Sequence, residues 1–407
     1  MKMCCGVVLL CFLFSLRSSA LDWYRWRGPD LNGISKETGW ATAWQKEGPK
    51  QLWKASVGLG FSSMVVSQGR IYTLGNNDDR DTVYCFDAAS GQEVWKHSYH
   101  EPLDAHYYEG GTSSTPTVDG DTVFTISRKG NLFSFEASGG KVRWIKNIAK
   151  EFDLTVPEWG FAGSPFIHGE LLILNAGTHG IALKKKTGEI AWSTGKDACG
   201  YSTPLPFTSH ETKALAIFGS NTIAAVEIEN GKVVWTFPWK TQYDINAADP
   251  IISGDKMFIS SGYRTGGALL KFNGEPTVLW KSQNMHNQLN ACVLINGYLY
   301  GPSGQSGYTG DLRCVDFNTG DVKWKETSAG LGALMAADGK LIVLSEKGEL
   351  IIAEATPNAF KPLARAQVLG GKCWTTPVIS NGRIYCRNSQ GNLVCVDVSG
   401  KQVATLH

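Results

Sequence analysis

Metal and haem signatures are missing from this 407-residue sequence, which has no CxxC, no CxxCH and no close-set His/Cys group. Neither a zinc site nor haem attachment is therefore supported. Charge is scarce: 19% of residues are Asp, Glu, Lys or Arg, the formal net charge is +2, and no Lys/Arg run exceeds the three residues Lys184, Lys185 and Lys186. Neutralising phosphates takes a concentrated basic patch, so a nucleic-acid surface is excluded. Helical periodicity is missing as well. Beyond the first twenty residues no run is long and apolar enough to cross a bilayer as a helix.

What the chain does have is hydrophobic residues, 43% of the total, and 46 glycines, which suit a fold with many tight turns. It also repeats itself. CFDAASGQEVW (85–95) returns as SFEASGGKVRW (134–144), ALKKKTGEIAW (182–192), AVEIENGKVVW (225–235) and CVDFNTGDVKW (314–324). In these five copies a small residue stands first, Gly seventh and Trp eleventh. A looser copy ends at Trp280, and two more, at 352–363 and 395–406, keep the rhythm without the Trp. Trp positions recur every 43 to 49 residues, which marks an internal repeat.

Each phrase follows two further short apolar runs, so a unit reads as four antiparallel strands. Divided among eight units, residues 61–407 leave about 43 each, the length of a four-stranded blade. The fold expected is an all-β, eight-bladed β-propeller. KQLWKASVG (50–58) looks like the last half of the phrase, with Trp53 in the Trp slot. It is predicted to close the ring as the outer strand of blade eight, because an open propeller leaves strand edges unpaired. Trp53, Trp95, Trp144, Trp192, Trp235, Trp280 and Trp324 are expected to dock each blade on the next.

The first twenty residues, one Lys ahead of an apolar run and then Ser18, Ser19 and Ala20, predict a cleavable signal peptide, with an uncleaved anchor as the alternative. The mature chain is then a secreted or periplasmic monomer, with an extended arm over 21–49 ahead of a propeller over 50–407. Seven cysteines follow the leader, an odd number. Cys85, Cys314 and Cys395 take the small-residue slot and read as packing residues. Cys199 and Cys373, on opposite sides of the ring, are too far apart to bridge, and Cys386 with Cys395 is the one close pair expected.

The pattern AxDxxTGxxxW resembles the repeat of the pyrroloquinoline-quinone (PQQ) propeller superfamily. That superfamily contains quinoprotein alcohol dehydrogenases and non-enzymatic outer-membrane assembly propellers of the BamB type. WRGPDLNGIS, WGFAGSP, INAADP and GKCWTTP together are similar to secreted PQQ-like repeat proteins of the planctomycete type. The resemblance covers nearly the whole mature chain and implies the fold more than any chemistry.

Function is expected where the loops leading into the inner strands meet at one mouth. The candidates for binding there are His106, Tyr108, Glu109, Trp159, Tyr201, Tyr243, Asn246, Asp249, Arg264, Asn287, Asn290 and Trp374. Ser/Thr-Pro steps in these loops read as strand-start turns. His106, His179 and His286 come from different blades without ligand spacing. The leading expectation is non-catalytic capture of a protein or glycan, with no cofactor. The alternative implied by the resemblance is a PQQ- and calcium-dependent alcohol or sugar dehydrogenase, with Glu109, Asn246 and Asp249 on calcium, Asp244 as base and Arg264 as the quinone's cationic partner. Against it, the adjacent-cysteine disulfide of those enzymes is missing, since the adjacent pair here, Cys4 and Cys5, lies in the leader.

Overall fold

The computed structural model describes residues 21–400 apart from Tyr107, His210 and Asn273; the predicted leader and the segment at 401–407 lie outside the described residues. Eight sheets result, seven of four strands and one of five. In blade one, Val65–Ser67, Arg70–Asn77, Arg80–Asp87 and Glu93–His100 pair in chain order from the channel outward. The inner strand is wholly buried and the outer one alternates, because only the outer strand has a face to solvent. Blade eight joins the two ends of the chain. Gln51–Ser56 pairs antiparallel with Asn392–Asp397, which places Trp53 opposite Cys395. The protein is thus an all-β eight-bladed propeller whose ring is closed by an N-terminal strand.

The repeated phrase is a set of contacts. In each blade the outer strand slips register by one residue just ahead of the Trp position, a bulge that re-aims the following side chain. The small first residue is the cross-strand partner of the Trp: Cys85 faces Trp95, Ser134 faces Trp144 and Ala225 faces Trp235. Where blade seven has Ala364 in the Trp position, the large Ile352 faces it instead. Each indole then reaches the neighbouring blade. Trp53 donates to Ala88 O at 3.2 Å, Trp95 to Ala137 O at 2.9 Å, Trp144 to Lys185 O at 3.0 Å and Trp192 to Ile228 O at 2.9 Å. Trp280 reaches Phe317 O at 3.0 Å and Trp324 reaches Thr356 O at 2.8 Å. Trp235 departs from this pattern, donating to Ser209 Oγ in its own blade while its ring stacks on Phe272 of blade five.

All seven described cysteines are buried and free. Cys386 and Cys395 lie in neighbouring strands of blade eight as expected, but they cannot bridge, for a geometric reason. Cys395 pairs with Tyr385, so Cys386, one residue on, points to the opposite face of the sheet. Burial pushes the Cys199 and Cys292 thiols up to about 12, which leaves them unreactive near neutral pH.

Residues 21–41 circle the end of the channel opposite the mouth. Trp23 exchanges backbone bonds with Val66 of blade one, and Tyr24 O accepts from Val118 N of blade two. Arg25 lies 5.6 Å over the Phe166 ring of blade three. Ile34–Ser35 adds a parallel fifth strand inside blade seven, beside Ala336 and Ala337. The buried Glu37 carboxylate accepts from the backbone of Asn381 and Gly382 in blade eight, and Ala41 N donates to Val398 O at 2.7 Å. Between these contacts the chain rises into the channel at Trp26 and Arg27.

Candidate functional site

Five inner strands follow a proline, and at four of these steps the preceding residue builds the floor of the mouth. Thr115, Ser164, Thr203 and Asp249 each precede a Pro. Ser63 N donates to Thr115 Oγ1 at 3.0 Å, Thr115 N to Ser164 Oγ at 3.1 Å, Ser164 N to Thr203 Oγ1 at 3.0 Å and Thr203 N to Asp249 Oδ1 at 2.8 Å. Backbone donors at the start of one blade are therefore satisfied by side chains of the next, from blade one to blade five.

Above this floor stands an aromatic wall. Trp374 and Phe61 stack with centroids 5.6 Å apart; Phe61 meets Tyr108 at 5.7 Å, and Tyr108 meets Trp159 at 5.8 Å. Groups behind the wall hold it in place. Lys372 Nζ lies 4.5 Å over the Trp374 ring, Trp374 Nε1 donates to Glu346 Oε1 at 3.0 Å, and the Arg128 guanidinium lies 5.5 Å over Tyr108. Tyr263 and Gln288 face the wall, joined by a 2.8 Å hydrogen bond from Gln288 Nε2 to the Tyr263 hydroxyl.

The N-terminal segment supplies the remaining piece. Trp26 lines the cavity, and its Nε1 donates to Asp249 Oδ2 at 2.6 Å. Arg27 Nε lies 3.7 Å from the same oxygen, while Nη2 donates to Cys292 O at 2.7 Å. Both partners are buried. Burial pushes the Asp249 carboxyl above the ordinary carboxylate range, with Arg27 opposing that shift. The cavity, open at the mouth, has a volume of about 250 Å³.

Of the residues expected at the mouth, Tyr108, Trp159, Tyr201, Asp249, Asn290 and Trp374 line this cavity. The others do not. His106 is exposed on the rim, with its ring 5.9 Å from Trp159, and Tyr243 is exposed against Tyr263. Asn246 is fully buried, its amide donating to Gly219 O, Ser220 O and Trp239 O and its oxygen accepting from Ser261. Asn287 is likewise buried and donates to Pro302 O. Glu109 pairs with Lys372 at 2.8 Å. Asp244 and Arg264 are exposed and off the lining. Sequence reasoning missed Trp26, Phe61, Tyr263, Gln288 and the hydroxyl floor. The recurrence of Ser, Thr or Asp before Pro was the available signal for that floor.

These positions do not fit a calcium-bound quinone. The Asn246 oxygen is taken by Ser261, both Asp249 oxygens are engaged, and Glu109 is held by Lys372. Among the described residues no group of three or more His, Cys, Asp or Glu is placed to hold a metal ion. The described lining contains no Lys, Arg or His to meet the three carboxylates of PQQ.

A family profile described as outer membrane protein assembly factor BamB matches residues 34–149 and 79–326. The chain belongs to this PQQ-repeat propeller family. BamB of Yersinia pestis is 21% identical over 367 residues, covering 88% of this chain and 80% of the relative. BamB of Burkholderia pseudomallei (strain K96243) is 25% identical over 269 residues, covering 54% and 68%. Among solved structures, BamB from Moraxella catarrhalis aligns with a TM-score of 0.63 at 14% identity, over 86% of this chain and 100% of that one. The quinohemoprotein alcohol dehydrogenase ADHIIG of Pseudomonas putida HK5 aligns at 0.70 with 12% identity, over 95% and 81%. At such identities the structural likeness to BamB and to the dehydrogenase speaks for the fold alone.

Proposed function

We propose that this protein is a non-catalytic, secreted or periplasmic propeller that captures a partner, protein or glycan, in the aromatic mouth. BamB relatives named as assembly factors support a scaffold role, and no described helix is long and apolar enough to cross a membrane. One observation carries the reading: the single acid on the described cavity lining, Asp249, is locked by Trp26, Arg27 and Thr203, so it is not free to serve as a base. What remains on the lining is flat aromatic surface and neutral hydrogen-bonding groups, the composition of a recognition site.

Two measurements test this. Dye-linked oxidation of primary alcohols and aldoses by purified protein with added PQQ and calcium should stay at background. A photocrosslinking residue at the exposed rim position Leu289 should capture a partner in cells, whereas one at exposed Ile145 on an outer strand should not. Turnover that depends on PQQ and is lost with Asp244→Asn would replace this reading with the dehydrogenase.

A further inference from the structure

We infer that the mouth cavity is a site for a neutral sugar, seated with its hydroxyl edge on the Ser/Thr floor and a C–H face against the aromatic wall. The inference rests on the capture reading above and names the chemistry of what is captured.

Open donors point to it first. A hydroxyl has one proton to give and two lone pairs. Thr115, Ser164 and Thr203 each accept a backbone N–H, yet among the described residues no acceptor takes their own protons. They are only 2%, 3% and 4% exposed, and all three line the cavity. Three buried hydroxyls that border one cavity, each already accepting from a backbone N–H and each with its proton still to give, suit a ligand rich in oxygen acceptors.

Charge narrows the class. The described lining has no cationic side chain, and its one carboxylate is matched by Arg27, so neither an acid nor a base finds a counter-ion. A desolvated charge without a partner is strongly disfavoured. Shape narrows it again. The aromatic lining of Trp26, Phe61, Tyr108, Trp159, Tyr263 and Trp374 suits a ring with an apolar side, and about 250 Å³ lies below the roughly 300–1,000 Å³ of pockets for drug-sized ligands. A pyranose combines these properties: apolar C–H faces, a polar edge and no charge.

Calorimetric titration tests the assignment with the methyl glycosides of glucose, galactose and mannose, N-acetylglucosamine, glucuronate, N-acetyltryptophanamide, and PQQ with calcium. At least one neutral sugar should bind at millimolar affinity or better. Trp374→Ala and Thr203→Val should each weaken it at least tenfold, and Thr203→Ser should restore it. Because these variants risk misfolding, saturation-transfer NMR on the unaltered protein gives a second readout. Irradiating aromatic protons should mark one C–H face of the sugar. Glucuronate binding as tightly as its neutral counterpart, or no neutral sugar binding, overturns the inference. Capture of N-acetyltryptophanamide alone would leave the capture reading standing while removing the sugar; micromolar PQQ binding with calcium would remove both.

Discussion

The Trp95 ring fills the place where a β-carbon on Gly140 would stand, 2.5 Å from the nearest indole carbon. The same relation joins Trp53 to Gly91, Trp192 to Gly231 and Trp280 to Gly320, while Trp144 comes within 3.1 Å of the corresponding point on Gly188. The glycine of one repeat is thus required twice, by its positive φ and by the tryptophan of the repeat before it. This coupling explains why Gly and Trp recur together in the phrase.

Gly140→Ala therefore combines left-handed strain with displacement of a buried indole, and should cost about 2–4 kcal/mol. Gly120 has φ +59 but nothing within 4 Å of an added β-carbon, so Gly120→Ala should cost only the backbone part, about 1 kcal/mol. Urea unfolding of the two variants measures the difference; equal losses would show that the Trp contact contributes nothing.

A buried cation spans the closure of the ring. Arg387 of blade eight is fully buried, and burial pushes its guanidinium below the ordinary arginine range. It donates to Ser62 O at 2.8 Å, Thr73 Oγ1 at 2.9 Å and Gly58 O at 3.1 Å, tying blade eight to blade one and to the closing segment. Arg387→Met should leave those acceptors short of a donor and cost about 3 kcal/mol or more. Arg80→Met, on an exposed hairpin, should change stability by less than about 0.5 kcal/mol. Comparable urea midpoints for the two would exclude a closing role.

The ring and its closure were legible in the sequence because the phrase carries its own local reasons: a turn glycine, a small partner and a Trp at fixed offsets. Trp53 could be placed from that rhythm alone. Trp26 and Arg27 could not, since their partners Asp249 and Cys292 lie 223 and 265 residues away and no periodicity joins them. Asn246 and Asn287 were mistaken for mouth residues because a buried amide that ties loops together looks, in sequence, like one that meets a ligand.

Asp81 predicts a pH dependence. Burial pushes its carboxyl up to about 7, opposed by the hydrogen bond from Asn76 Nδ2 at 2.8 Å. The folded state then holds the proton more tightly than the unfolded chain. Stability is unpenalised below about pH 4, falls as pH rises towards 7 and stays reduced above it. Asp81→Asn keeps an acceptor for Asn76 and removes the buried charge. Its stability relative to the unaltered protein should improve by roughly 2 kcal/mol from pH 5 to pH 8. Urea midpoints whose difference does not change with pH would refute this.

The plug beneath the mouth makes the last prediction. Arg27→Met removes the counter-charge of Asp249, which sits 3.7 Å away in a site shielded from water. A buried carboxylate left alone should cost about 3–5 kcal/mol. Adding Asp249→Asn to Arg27→Met removes the stranded charge, and the amide oxygen can still accept from Thr203 N or Trp26 Nε1, though not from both as two carboxylate oxygens do. The double variant should therefore be more stable than Arg27→Met alone, by about 1–3 kcal/mol, yet less stable than the unaltered protein. A full thermodynamic cycle by urea unfolding measures the coupling. Additive losses would mean that Arg27 acts only through its bonds to the carbonyls of Leu31, Asn32 and Cys292, and that the ion pair is incidental.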